Sequence, residues 1–222
     1  MLLNGDTGAI TRPGQFVNIR LDGFFLRRPI SVSDWDDGLL CIIYKVVGRG
    51  TAYMSSLLPG ARLDILTGLG NGFDVSKSGS SPLLVGGGAG VAPMYALARV
   101  LLSRGTAVHM IAGFNTAGEI YLKDEFEALG AELTITTADG SFGRKGFVTD
   151  AMDCRHSYVY ACGPEPMLKA VCNASAADGQ YSFEERMGCG FGACMGCTCK
   201  TKYGSKRICR DGPVLEKEEI VW

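Results

Sequence analysis

Leu83-Leu-Val-Gly-Gly-Gly-Ala-Gly-Val-Ala-Pro93 is a short apolar run that breaks into glycines and resumes as an apolar stretch reaching Arg104. A buried strand, a tight loop and a helix satisfy its three parts, because a membrane span would not carry Gly86, Gly87, Gly88, Gly90 and Pro93 in its middle. At a junction of this kind backbone N–H groups and the positive end of a helix face an anion. The loop alone is a weak signal, since glycine-rich turns also serve only to pack. The spacing G-x-G-x-x-G, traced through Gly86 and Gly88, meets Val91 where the last glycine belongs, which argues against a standard dinucleotide fingerprint.

The same rhythm continues downstream. Ala107-Val-His-Met-Ile-Ala112 reads as a strand, Glu119 to Leu129 as a helix closed by Gly130, and Glu132–Thr137 and Tyr158–Cys162 as two further strands. Alternation predicts a parallel sheet flanked by helices, with ligands at the strands' C-terminal ends. Tyr160-Ala-Cys-Gly-Pro-Glu-Pro-Met167 puts Cys162 and Gly163 at such an end.

Upstream the pattern changes to short strands and turns. Gln15–Leu21 alternates as a half-buried strand should, Leu39–Val47 is a β-branched apolar run, and Asp36-Asp37-Gly38 supplies a turn before it. The one helical stretch is Gly50 to Leu58, stopped by Pro59-Gly60. A small antiparallel barrel is the expected result. The polar stretch Ser76–Ser81 and a second break at Asp178-Gly179 divide the chain into units 1–77, 78–178 and 179–222.

Of 222 residues, 22 are Lys or Arg and 23 Asp or Glu, so a net charge of −1 gives no electrostatic case for nucleic acid or an anionic membrane. With only His109 and His156, a histidine-rich metal site is excluded and a Ser-His-Asp hydrolase is a poor bet. Glycine, at 31, is about double its usual ~7% share, as expected where backbone approaches bulky ligands. No basic segment precedes an apolar one, so a reducing cytoplasm is the expected compartment.

Cysteine carries the strongest signal. Five of nine lie between Cys189 and Cys209, a poor disulfide framework and a better metal site. Cys189-x4-Cys194-x2-Cys197, followed after eleven intervening residues by Cys209, is the spacing of a plant-type [2Fe-2S] site. Gly188, Gly190, Gly192 and Gly196 suit a loop wrapped closely round a cluster. A four-cysteine zinc knot is the competing reading, although zinc usually takes two close pairs. Cys199 reads as a free thiol beside the loop. Arg27-Arg28-Pro29-Ile30-Ser31 can hold a pyrophosphate or ribityl chain, but the arginines taken singly read more readily as solvated charges.

Taken in order, Arg28-Pro-Ile-Ser31, Gly50-Thr51, Gly86–Pro93 and Cys162-Gly-Pro-Glu-Pro-Met167 resemble the ferredoxin-NADP reductase superfamily. Glu184–Cys197 and Cys209-Arg-Asp-Gly-Pro-Val214 narrow the resemblance to electron-transfer subunits of type 1B, NAD-dependent dihydroorotate dehydrogenases. Asp139-Gly-Ser-Phe-Gly143 and Lys145–Asp150 add to it, and it spans nearly the whole chain.

The resemblance implies a multi-domain β plus α/β protein: an N-terminal flavin-binding β-barrel, a ferredoxin-reductase-like parallel α/β nucleotide domain and a small [2Fe-2S] domain. It implies FAD against Arg28, Pro29, Ile30, Ser31, Ile43, Tyr44, Lys45, Gly50 and Thr51. NAD falls near Gly87, Gly88, Cys162 and Gly163, and the cluster on Cys189, Cys194, Cys197 and Cys209. One departure stands out: a family member would normally have another barrel strand before Leu2-Leu-Asn-Gly-Asp6, whereas this sequence starts almost at the second strand. Hydride transfer moves two electrons and a [2Fe-2S] centre one, so the flavin stands between them, and no catalytic acid or base is expected in this chain. The implied partner is a catalytic subunit carrying FMN, in a cytoplasmic heterotetramer of two of each. The rivals are a flavin and iron–sulfur subunit of an NAD(P)-dependent ferredoxin or sulfide oxidoreductase or cytosolic hydrogenase, and a non-catalytic zinc-bearing interaction module.

Overall fold

The computed structural model describes residues 1–222. Its first unit is an antiparallel sheet of β1 (Leu2–Asn4), β2 (Phe16–Arg20), β3 (Arg28–Asp36), β4 (Leu39–Ile42) and β5 (Asp64–Leu69), in the order β1-β4-β3-β2-β5. It is an open half-barrel, with β1 and β5 each paired on one side only. Helix α1 (Arg49–Ser55) closes one end by burying Met54 against Val17, Ile19, Leu21, Val32 and Ile42. The apolar run at Leu39–Val47 stays in the sheet only to Ile42; Ile43 to Val47 leave it for the wall of a cavity.

β2 departs from simple alternation. Phe16, Val17, Asn18 and Ile19 are all buried. Val17 and Ile19 fill the half-barrel core, whereas Phe16 joins a second core with residues of the C-terminal third. Both faces of the strand are therefore covered, one by its own sheet and one by the far end of the chain.

The second sheet is built on β6 (Leu83–Gly87), β7 (His109–Phe114), β8 (Glu132–Thr137), the two-residue β9 (Arg144–Lys145), β10 (Val159–Cys162) and β11 (Gly179–Ser182). Helices α2 (Val91–Ser103), α3 (Lys123–Leu129) and α4 (Glu165–Ala174) connect its strands. The alternation predicted this arrangement, and β6, β7, β8 and β10 pair in parallel. A hairpin of β12 (Thr198–Thr201) and β13 (Gly204–Arg207), a short α5 (Ile208–Asp211) and β14 (Val214–Glu216) complete the chain. β14 returns to pair antiparallel with β11, giving the order β14-β11-β10-β6-β7-β8-β9.

The sheet thus runs across the boundary expected at 178/179. Tyr181 and Leu215, fully or nearly buried, bring β11 and β14 into the core beneath β10. The segment between those strands leaves the sheet and comes back, so the cysteine loop is fixed at both ends. The half-barrel is fixed too: Arg99 on α2 donates to Asp34 Oδ1 (2.9 Å) and to the Trp35 carbonyl (2.9 Å) on β3.

Candidate functional site

Where the three parts of the chain meet there is a cavity of about 380 Å³. The half-barrel supplies Arg28, Pro29, Ile30, Ser31, Ile43, Tyr44, Lys45 and Thr51; the α/β sheet supplies Ala89, Gly90 and Cys162. Ser182, Phe183, Glu184, Glu185 and Met187 close it on the way to the cysteine loop. The half-barrel's residues are brought together because β3 pairs antiparallel with β4, with Val32 opposite Ile42, so the start of β3 lies at the end where the chain runs on from β4 into Ile43.

The expected residues divide by what their polar atoms do. The Thr51 hydroxyl accepts from the amides of Val47 (3.0 Å) and Gly48 (3.2 Å), so it shapes the approach to α1. Arg28 bonds the carbonyls of Leu26 and Arg27, lies 5.0 Å over the Phe24 ring, and rests against Gly50. A Cβ at Gly50 would collide with the guanidinium, which explains a glycine at a helical position that does not line the cavity itself. Lys45, in the cavity wall, pairs its ammonium with Glu119 Oε1 at 2.9 Å.

Cys162 ends β10 at the cavity wall. Burial, with the Glu184 charge adding to it, pushes its thiol up to about 12, so it stands there as a small neutral group. Gly90 packs so tightly beneath it that a Cβ would strike the Cys162 carbonyl.

A second cavity, of about 450 Å³, lies over the C-terminal ends of β6, β7, β8 and β10, where an open α/β sheet takes its ligands. Gly87 and Gly88 line it, as expected, with Gly113, Asn115, Thr136 and Met167. Gly163 sits against Met167 at its edge and in contact with Gly87. The Thr136 hydroxyl is fully buried, lines this cavity and has no hydrogen-bond partner, which fits a polar ligand. Tyr121 donates to the Gly88 carbonyl (2.9 Å) and holds the glycine loop from behind. Asn115, Thr136, Tyr121 and Glu184 carried no signal in the sequence as site residues. They are ordinary residue types whose importance arises from where the strands end.

A further hollow of about 480 Å³ between Arg20, Tyr53, Arg62 and Asp64 holds none of the expected residues, and Arg20 pairs there with Asp64 at 3.7 Å.

The cysteine loop, Cys189 to Cys197, is anchored by the buried Cys209 on α5. Its amides point at sulfur: Ala193 N lies 3.2 Å and Cys194 N 3.5 Å from Cys189 Sγ, Gly196 N 3.5 Å from Cys194 Sγ, and Cys209 N 3.4 Å from Cys197 Sγ. Partial burial pushes the Cys189 thiol up, but N–H donors from Cys194, Phe191 and Ala193 and the Cys194 thiol outweigh it and bring it down to about 6. Cys209 goes the other way, to about 12, through burial and the neighbouring Cys197 and Cys189 sulfurs. The four thiols, with amide donors beside them, are the ligand types that iron–sulfur chemistry uses, although no three of them converge on one metal position in this structure. Cys199 lies outside the set, on β12 beyond the loop.

Two family models match the chain: the iron-sulfur cluster binding domain of dihydroorotate dehydrogenase B over residues 184–221, and an oxidoreductase NAD-binding domain over residues 84–173. The electron transfer subunit of dihydroorotate dehydrogenase B (NAD(+)) of Fusobacterium nucleatum is 47% identical over 224 residues, covering 94% of this chain and 86% of that protein. Its counterpart from Bacillus caldolyticus is 43% identical over 226 residues, covering 95% and 87%. Among solved structures, an NADH-dependent reduced ferredoxin-NADP oxidoreductase described for flavin-based electron bifurcation superposes with a TM-score of 0.87. It is 33% identical and covers 96% of this chain and 80% of that one. A ferredoxin reductase of carbazole 1,9a-dioxygenase gives a TM-score of 0.66 at 26% identity, over 78% and 58%.

Proposed function

The chain belongs to the family of electron transfer subunits of dihydroorotate dehydrogenase B (NAD(+)), and we propose that its two cavities and its cysteine loop are the three stations of that transfer. It is an oxidoreductase subunit that works with an iron–sulfur cluster, FAD and NAD. When bound, the cluster carries electrons singly, the flavin converts between single electrons and pairs, and NAD takes a hydride.

The observation that carries the reading is the shared cavity. Its walls come from the half-barrel, from the β6 and β10 ends that border the nucleotide cavity, and from the segment leading to Cys189. A flavin held there would lie between the nucleotide cavity and the segment leading to the cysteine loop. Pro29, Ile30, Ser31, Ile43 and Tyr44 supply the wall for it. Arg28, stacked on Phe24 and seated against Gly50 at the start of α1, would supply the charge for its pyrophosphate. Gly87, Gly88 and Gly163 leave backbone close to the nucleotide cavity, and Cys162 stands on the flavin-cavity wall as a neutral thiol. Cys189, Cys194, Cys197 and Cys209 hold the cluster, their charge spread onto the amides of Ala193, Cys194 and Gly196. These roles follow from chemistry and placement together.

The partner is a catalytic subunit of the dehydrogenase. A two-plus-two assembly, with FMN in that partner and a cytoplasmic location, is the finer form proposed on the family resemblance. No helix is long and apolar enough to cross a membrane. The ferredoxin oxidoreductase alternative has the weaker support: 33% identity against 47%, and the family model that matches the cysteine segment, residues 184–221, is that of dihydroorotate dehydrogenase B.

Anaerobic purification with the catalytic subunit tests the proposal. Expected are about two irons and one FAD per chain, a paramagnetic signal on reduction, and reduction of NAD driven by dihydroorotate. Zinc in place of iron, or ferredoxin-dependent turnover without any from dihydroorotate, would overturn it.

A further inference from the structure

The flavin cavity and the nucleotide cavity are joined by one carboxylate. Glu119 follows β7 in a short turn, and its two oxygens are used separately. Oε1 accepts from the ammonium of Lys45 at 2.9 Å, from the segment of the half-barrel that walls the flavin cavity. Oε2 accepts from Asn115, through its backbone amide at 3.2 Å and its side-chain amide at 3.0 Å, and Asn115 lines the nucleotide cavity. The bridge spans 74 residues of sequence and links the half-barrel to the α/β unit.

The turn that carries Glu119 is itself held. Ser141 Oγ accepts from the Ala117 amide at 2.7 Å, and the Asp139 amide donates to the Asn115 carbonyl at 3.2 Å. Glu119 is only about a third exposed, although Lys45 is largely open to solvent. An exposed ion pair contributes little to stability. Its value here is positional, because each end of the bridge stands at a different ligand.

We propose that Glu119 is a positioning residue that couples the two sites: it fixes Asn115 at the nucleotide and balances the Lys45 charge beside the flavin. The proposal rests on the assignment of the two cavities to FAD and NAD. Removing the carboxylate charge leaves a free ammonium at the flavin wall, and a positive charge there favours the reduced, more anionic flavin. Removing the oxygen that holds Asn115 loosens the nucleotide site. The two effects are separable, since a neutral amide oxygen still accepts from Asn115 but no longer balances Lys45.

The test uses the complete complex with its catalytic subunit, comparing wild type with Glu119→Gln and Glu119→Ala. Anaerobic redox titration reads the FAD midpoint potential, and dihydroorotate-driven NAD reduction reads KM and kcat. In both variants the FAD potential moves in the positive direction, and adding Lys45→Met to Glu119→Gln moves it back. The KM for NAD rises about fivefold or more in Glu119→Ala and by less than about twofold in Glu119→Gln. An unchanged FAD potential in Glu119→Gln, or an unchanged KM in Glu119→Ala, overturns the coupling. If the wild-type complex reduces no NAD with dihydroorotate, the assignment of function fails, whereas the potential measurement still reads the bridge.

Discussion

The side-chain amide of Asn18, in the middle of β2, donates to the carbonyl oxygen of Cys189 at 3.2 Å. A buried strand of the half-barrel is thereby bonded to the first cysteine of the cluster loop, across 171 residues of sequence. Gly190 follows with a positive φ of 82°, and a Cβ there would collide with the Asn18 amide. The contact is close because one residue lacks a side chain and the other turns a polar group toward the backbone.

Asn18→Ala removes the donor and leaves the Cys189 carbonyl unpaired, which costs about 1–2 kcal/mol. Gly190→Ala adds a strained left-handed conformation to a steric clash and costs about 1–3 kcal/mol. Denaturant titration of the holoprotein checks both values. Both variants are also expected to lose iron faster under chelator challenge, while Asn18→Asp, which offers an acceptor in place of the donor, behaves as the alanine variant does. Iron retention equal to wild type in all three would show that the bond does not seat the loop.

Much of this was legible beforehand. The strand–loop–helix rhythm from Leu83 to Cys162 announces a parallel sheet because both periods are unbroken, and the cysteine spacing announces its chemistry because few metals use it. The path of 179–182 and 214–216 was not legible. Gly179-Gln-Tyr-Ser182 is short and mixed in polarity, and its strand character comes from pairing with β10 and β14 rather than from its own pattern. Asn18 illustrates the same limit. In Phe16–Arg20 it occupies what reads as the polar face of an alternating strand, and only the returning cysteine loop turns that face into an interior. Lys45 was expected at the flavin and lies in the wall of the shared cavity, but its ammonium goes to Glu119, a partner that no local pattern could supply.

Gly50→Ala separates folding from flavin binding. The added methyl meets the Arg28 guanidinium, the end of a flexible side chain, so the helix survives and the arginine moves. Thermal stability is expected to stay within about 1 kcal/mol of wild type, since alanine is the better helix former. FAD retention after gel filtration is expected to fall about tenfold or more, as the loss of a charged contact to a pyrophosphate implies. A full complement of FAD in this variant would remove Arg28 from the flavin site.

Arg99→Ala addresses how the half-barrel is held to the α/β unit. The guanidinium makes a charge-assisted bond to Asp34, a bond to the Trp35 carbonyl, and stacks 5.8 Å from the Trp35 ring. Arg99 and Asp34 are each about a third exposed, so solvent screening limits the loss to about 1–2 kcal/mol. Arg99→Lys can keep one of the two bonds and is expected to recover about half of that. The measurement is the denaturation midpoint, together with hydrogen exchange at β3 and α2, where protection is expected to fall in step.

Alkaline pH is expected to destabilise the protein for a reason built into the second sheet. Burial holds the Cys162 thiol neutral up to about 12, and burial likewise raises the phenols of Tyr158, Tyr160 and Tyr181. In the unfolded chain the thiol ionises near 9.0 and the phenols near 10.0. Below pH 9 both states carry these protons and nothing changes. Above it the unfolded state has released protons that the folded state still binds, so stability falls as pH rises toward 12. Urea midpoints of the anaerobic holoprotein should therefore drop steadily between about pH 9 and about pH 10.5. Over the same range, phenolate absorbance in native protein should account for the exposed tyrosines and leave the three buried ones silent. A midpoint that held level while those three titrated would mean that the sheet admits water at β10 and β11, and the dry wall beside Cys162 would have to be given up.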